Sequence, residues 1–190
     1  ACELLEQMGV RWFMPGDFGT VIPREKHIAV RQQETIQVPS FAHRHFQAVP
    51  DAAWLRHLRT GGTYFVSAHG IDLGPEGAYA KHPEYYAQIA GKRQPYQLCV
   101  SNPEVVKLAV AQAKAYFRRY PHEVMLGMGP NDGSGFCECP NCRTLDGGEW
   151  DAFSKEPSVS DRYVWFFNRV LQGIEDEFPQ KKIAFYAYHT

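Results

Sequence analysis

Val124-Met125-Leu126-Gly127-Met128 runs directly into Gly129-Pro130-Asn131-Asp132-Gly133, and three cysteines follow at Cys137, Cys139 and Cys142. A short apolar run bounded by Gly and Pro reads as a buried strand, and the Asn-Asp-Gly that ends it reads as a turn. In parallel α/β folds, the loops at the carboxyl ends of strands are where chemistry is placed. The stretch therefore puts a carboxylate and a cluster of thiols on a loop of that kind.

Working outward, the same strand-then-helix rhythm recurs. Downstream, Ser160 is placed to cap a helix whose apolar face is Val164, Phe167, Val170, Leu171, Ile174 and Phe178, and Ile183 to Tyr188 forms the next strand. Upstream, Gln97 to Val100 reads as a strand, and Asn102-Pro103-Glu104 starts a helix with an N-cap, a Pro at the first position and an acid in the first turn. Val105, Val106, Ala109, Ala113, Tyr116 and Phe117 then continue an apolar stripe. Further back, Phe41 to Phe46 and Thr63 to Ala68 read as strands around a helix from Asp51 to Arg59 that Gly61-Gly62 stops. Residues 69–96 are long and rich in Gly, Pro and Tyr, with a short helix expected at His82-Pro83-Glu84-Tyr85-Tyr86.

This alternation predicts βαβ units and a parallel sheet, hence an α/β fold. Five strands without a phosphate-binding glycine motif fit either an open sheet or part of a (β/α)8 barrel, which when complete runs to about 250 residues. Before Pro39 the character differs. Leu4, Leu5 and Met8 share a helical face that Gly9 ends, Val10 to Met14 reads as a short strand, and no strong periodicity follows. The expected division is therefore residues 1–38 and residues 39–190. The chain opens inside a helix pattern and closes at a strand end, so a longer natural protein is expected.

Composition narrows the partners. Of the 190 residues, 44% are hydrophobic and 22% charged, with a formal net charge of −1, values of an ordinary globular chain. Lys and Arg are scattered rather than striped, which points away from nucleic acid and anionic lipid. No apolar run approaches the ~20 residues of a membrane helix. Aromatic residues make up 14%; these suit a core first, and a sugar-stacking cleft second.

Asp132 is the candidate catalytic acid, because glycoside hydrolysis needs carboxyl groups flanking the scissile bond. Asn-Asp-Gly is also ideal chemistry for a plain turn, and without further sequence that reading comes first. Cys137, Cys139 and Cys142 offer up to three ligands to a soft metal such as zinc, with Cys99 or a histidine as the fourth. A disulfide or free buried thiols fit the same spacing, and five cysteines leave an odd one if pairs form. His69 closes the second strand, and Tyr188 and His189 close the fifth, on the rim that Asp132 occupies. Asn131 and Asn102 belong to that rim too, although N-capping already explains Asn102. No Gly-x-Ser-x-Gly, P-loop, His-Glu-x-x-His or dinucleotide glycine triplet occurs, which removes the commonest serine-hydrolase, nucleotide and zinc-protease readings.

Several blocks together resemble domain of unknown function 4838: Gly9-Val10-Arg11-Trp12-Phe13-Met14-Pro15-Gly16, His82 to Tyr86, Gln97 to Val105, Pro130-Asn131-Asp132-Gly133 through Cys142, and Ala187-Tyr188-His189-Thr190. That family is similar to α-glucuronidases and to family 20 hexosaminidases, which carry a small α/β domain before a catalytic (β/α)8 barrel. The resemblance implies that residues 1–38 are the tail of such an accessory domain. Residues 39–190 would then be the N-terminal portion of a TIM-type barrel, about five of its eight strands. In hexosaminidases the fourth strand ends in an Asp-Glu pair whose Glu is the general acid. The matching pair here is Asn131-Asp132, so the acid is one methylene shorter and the residue that positions an N-acetyl group is an amide. This is a departure from substrate-assisted hexosaminidase chemistry.

The expected function is a glycoside hydrolase-like domain acting on a polysaccharide or oligosaccharide. Asp132 would be the acid, with His69, Asn131, Asn102, Tyr188 and His189 binding hydroxyls. Cys137, Cys139 and Cys142 would hold a structural zinc, and the reaction itself needs no cofactor. The alternative is a non-catalytic carbohydrate-binding barrel with the same Cys/zinc loop. The expected partners are a carbohydrate and the remaining barrel strands, and the expected location is secreted or periplasmic.

Overall fold

The computed structural model describes residues 2–30, 32–46, 51–63 and 68–186. Tyr188, His189 and most of the strand expected at Thr63 to Ala68 lie outside the described residues. The chain divides into two compact units, Ala1–Tyr64 and Phe65–Thr190.

The first unit is built from short pieces. Helix α1 (Cys2–Gln7) ends before Gly9, and strand β1 (Arg11–Trp12) pairs antiparallel with β2 (Thr20–Val21). Strand β3 (His43–Arg44) leads to helix α2 (Ala52–His57), and β4 (Gly61–Gly62) returns to pair antiparallel with β3. Asp51 caps α2 by accepting the Trp54 N–H at 2.7 Å, the use of an N-cap carboxylate.

The second unit carries the core. Strand β5 (Tyr86–Ile89) turns through Ala90-Gly91 into β6 (Lys92–Leu98), an antiparallel hairpin. The strand expected at Gln97 to Val100 is thus the end of a longer hairpin strand. Asn102 then caps helix α3 (Pro103–Arg119), its side-chain oxygen accepting the Glu104 N–H at 2.9 Å. Strand β7 (Met125–Gly127) is followed by a long excursion holding helix α4 (Pro140–Arg143) and a two-stranded ribbon of β8 (Trp150–Asp151) and β9 (Glu156–Pro157). Helix α5 (Ser160–Ile174) then brings the chain to β10 (Lys182–Ala184), which pairs parallel with β7 in the register Leu126 opposite Ile183. The strand–helix–strand expected around α5 is present as a βαβ unit; among the described residues no strand set closes into a barrel.

Helices α3 and α5 form the body of this unit. Val105, Ala109, Ala113 and Phe117 of α3 are buried, as are Tyr163, Phe166, Phe167, Val170 and Ile174 of α5. The α5 face is rotated from the one expected: Val164 is exposed, and Arg162 and Phe166 turn inward instead. The α5 cap also differs, because Ser160 is the first helical residue and Val159 precedes it without a side-chain cap. Gly173 marks the close approach of the two helices, since a Cβ there would lie 2.5 Å from Val110 Cγ2. Fully burying Phe166 stabilises the unit by about 1.5–3 kcal/mol. Among the described residues, no helix is long and apolar enough to cross a membrane.

Candidate metal centre

Two pieces of local structure bring four thiols together. The first is the turn after β6, where the Asn102 N–H donates to the Cys99 carbonyl at 2.9 Å and presents Cys99 at the foot of α3. The second is the run after the Asp132 turn. There Glu138 N–H donates to the Gln88 carbonyl at 2.7 Å, fastening the run to β5 like an extra strand. Cys139 then precedes α4 and Pro140 opens it, a position where proline's missing N–H is no loss. One turn of helix places Cys142 on the same side as Cys139.

Cys99, Cys137, Cys139 and Cys142 are all buried, and their sulfurs lie within 4.8 Å of one another. Cys99 Sγ stands 3.6 Å from Cys139 Sγ and 3.8 Å from Cys142 Sγ. A tetrahedral shell with metal–sulfur bonds of about 2.3 Å has sulfur–sulfur edges of about 3.8 Å. The spacing therefore fits a four-thiolate shell around one metal ion. The cysteines are free thiols rather than disulfides, so all four are open to ligation. The fourth thiol that the structure brings to the group is Cys99, one of the two options that the spacing alone left open.

The electrostatics fit a site that must hold negative sulfur. The Cys137 and Cys142 thiols, then Ser101 and Arg93, pull the Cys99 thiol down to about 3 against the effect of burial. The Cys142 thiol is pushed up by Cys137 and Cys99 and by burial. Cys99 is thus ready as a thiolate, and Cys142 holds its proton until a cation replaces it. Gln88 N–H donates to Cys137 Sγ at 3.3 Å, and an Arg93 guanidinium nitrogen lies 3.9 Å from the same sulfur. Such outer contacts orient ligands and moderate their charge.

A buried ion pair ties the ends of the cysteine run. Arg162 of α5 forks onto both oxygens of Asp146, with Nε to Oδ1 at 2.6 Å, and its remaining nitrogen donates to the Cys137 carbonyl. Cys137 begins the run and Asp146 follows α4, so one guanidinium holds the segment closed. Nothing in the residue types marked Arg162 for this role beyond a cation within an apolar helix pattern.

The Asp132 turn lies directly before the run. Buried Gln97 brackets it: Gln97 Oε1 accepts the Asn131 N–H at 3.0 Å and Nε2 donates to the Asn131 carbonyl at 2.8 Å. Tyr96 OH donates to the Asp132 carbonyl, and Asn131 Nδ2 donates to the Tyr96 carbonyl. Gly129 precedes the turn where a Cβ would lie 2.8 Å from the Ala68 carbonyl, so the backbones pass too closely for a side chain. Gly70 N–H donates to the Pro130 carbonyl at 3.1 Å. His69 approaches the same carbonyl at 3.4 Å and packs on Tyr186 with ring centroids 4.7 Å apart.

Of the expected site residues, Asp132, Asn131 and His69 thus share one neighbourhood, with Asp132 and His69 exposed and Asn131 half-buried. Asn102 is engaged by the fold at both ends of its amide, capping α3 and donating to the Glu84 carbonyl at 3.2 Å. Tyr188 and His189 lie outside the described residues. Gln97 is the residue that sequence reasoning missed here. Its only signal is a polar side chain opening the otherwise apolar Leu98-Cys99-Val100.

The family profile described as Domain of unknown function (DUF4838) matches residues 14–190. No curated protein and no solved structure matches the chain.

Proposed function

This chain belongs to the DUF4838 family, a domain of unknown function, and from that premise we propose a glycoside hydrolase-like domain whose Asp132 loop is braced by a structural zinc. The observation that carries the reading is the position of the turn. It leaves the carboxyl end of β7, a strand in a parallel pair, with an exposed carboxylate at its tip and a buried amide locking it from behind. Loops so placed are the usual seats of chemistry in parallel α/β folds. Three of the four thiols follow it, beginning five residues beyond Asp132.

Zinc suits four sulfurs at tetrahedral spacing, and a closed four-thiolate shell leaves no position for water or substrate. Its contribution is therefore mechanical: it holds residues 137–142 against β5 and the foot of α3. The chemistry falls to this chain's own side chains. Asp132 in its acid form gives its proton to the glycosidic oxygen as the bond from that oxygen to the anomeric carbon breaks. His69, Asn131, Tyr188 and His189 take sugar hydroxyls. The second carboxylate of such a reaction comes from a further barrel strand.

One observation favours the rival reading of a non-catalytic carbohydrate-binding domain. A general acid is usually kept protonated by an apolar surround, and Asp132 is exposed. Reducing-sugar release from a panel of plant and bacterial polysaccharides separates the two. The expected result is release by the protein and a loss of about 100-fold or more in Asp132→Asn. Release unchanged in that variant removes Asp132 from the mechanism; binding without release selects the rival.

A further inference from the structure

The four thiols are not equally sheltered. Cys142 is 0% exposed and Cys137 3%, against 4% for Cys99 and 7% for Cys139. Cys137 Sγ is covered by the Gln88 N–H at 3.3 Å and by Arg93. Cys142 Sγ lies under the Ser101 hydroxyl at 3.1 Å. Cys99 and Cys139, in contrast, line a cavity of about 350 Å³ whose other walls include Glu84, Arg93 and Asn141. Their sulfurs are the pair 3.6 Å apart. The two cysteines that line the cavity thus also stand close to each other.

From this asymmetry we propose that the centre is an oxidation site for hydrogen peroxide, in which Cys99 and Cys139 form a disulfide and the zinc is released. The inference rests on the zinc reading above. The cavity carries polar side chains, among them Glu84, Arg93 and Asn141, and is large enough for peroxide; a thiolate is the form that attacks it. One thiolate sulfur bonds to a peroxide oxygen as the O–O bond breaks; the departing hydroxide takes a proton from solvent and leaves as water. The sulfenic acid so formed is attacked by the second thiolate. An S–S bond forms, and hydroxide leaves and is again protonated to water. Two electrons pass from the sulfurs to the peroxide. Cys137 and Cys142 alone remain as ligands, and two thiolates do not retain zinc as four do. Oxidation would then unfasten the run behind the Asp132 turn, and a dithiol reductant with zinc would restore it.

The test uses the zinc-loaded full chain treated with hydrogen peroxide, with zinc followed by a chromogenic chelator and disulfides mapped by mass spectrometry. The expected result is loss of zinc in step with a Cys99–Cys139 disulfide, both reversed by dithiothreitol and added zinc. Zinc retained while free thiol peptides are fully oxidised would overturn the proposal. So would a first disulfide containing Cys137 or Cys142. Asn141→Trp narrows the cavity without touching a ligand and is expected to slow release several-fold at unchanged zinc affinity; an unchanged rate would sink the cavity as the route. A preparation that holds no zinc at the outset removes the zinc reading itself, which keeps the two failures apart.

Discussion

Residues 1–64 and 65–190 use apolar side chains in opposite ways. Among the described residues of the first unit, Val10 is the only buried hydrophobic side chain, while Phe18, Ile36 and Phe41 stand 92%, 86% and 72% exposed. The second unit gathers Leu98, Val100, Val105, Phe117, Met128, Phe166, Val170 and Ile174 into one cluster with the four thiols. The difference is one of spacing more than composition. In α3 and α5 the apolar residues recur at three and four positions over 17 and 15 residues, so each helix offers a continuous face. In the first unit the helices have six residues and the strands two, and isolated elements of that length are marginal. Polar contacts serve there instead: Arg59 reaches Glu3 and Glu6, Arg44 donates to two carbonyls, and the Trp54 indole donates to Trp12.

If that contrast is right, damage should scale with the unit it strikes. The largest effect is expected for Cys142→Ser with zinc supplied. Structural zinc sites carry apparent binding free energies on the order of 10 kcal/mol, and this substitution takes one of four ligands from the fully buried position. Thermal melts should show the second unit losing its cooperative transition, or losing its dependence on zinc. The same site should respond to pH with a definite sign. Cys99 is a thiolate at neutral pH because its neighbours pull it down to about 3, whereas Cys142 is pushed up and keeps its proton. Zinc must displace the proton that Cys142 retains, so affinity should rise with pH by about tenfold per unit for that proton. A chelator competition series between pH 6 and 8 reads this directly, and a flat series would break the four-thiolate assignment.

Next comes the core itself. Phe166→Ala empties a fully buried position between α5 and its neighbours, and should lower stability by about 3–5 kcal/mol in urea unfolding. Gln97→Ala strips both amide contacts from Asn131. It should cost about 1–3 kcal/mol and loosen the Asp132 turn, visible as faster amide exchange at Asn131. The smallest effect is expected in the first unit. Arg59→Ala breaks two solvent-exposed ion pairs, to Glu3 and Glu6, and such pairs contribute little in water, so the urea midpoint should not move measurably. A large shift there would erase the contrast.

What was legible follows the same divide. Asn102-Pro103-Glu104 announced α3 because cap, proline and acid each satisfy a backbone need at a helix start, and the structure uses Asn102 as that cap. The thiol run pointed to a ligand set and to pairing alike, since three cysteines in six positions serve either, and the structure gathers them with Cys99 as four free thiols that could hold a metal ion. The β5–β6 hairpin was not legible as one. Its turn is Ala90-Gly91, with Ala90 at φ 46, where Asn or Asp would be the signal, and β6 carries Pro95, a residue that strands rarely hold in their interior. The inward face of α5 differs from the apolar periodicity because Arg162 is a core residue. Its burial depends on Asp146 and the Cys137 carbonyl, partners supplied by a loop that periodicity does not describe. The role of Gln97 was hidden for the same reason, since an amide that bonds backbone leaves no pattern in residue types.

The account stands on four sulfurs sharing one metal, and X-ray absorption at the zinc edge on the purified full chain, with metal content measured alongside, tests this most directly. The prediction is one zinc per chain with four sulfur neighbours at about 2.3 Å. A shell containing oxygen or nitrogen, or a metal-free protein with paired cysteines, would contradict it.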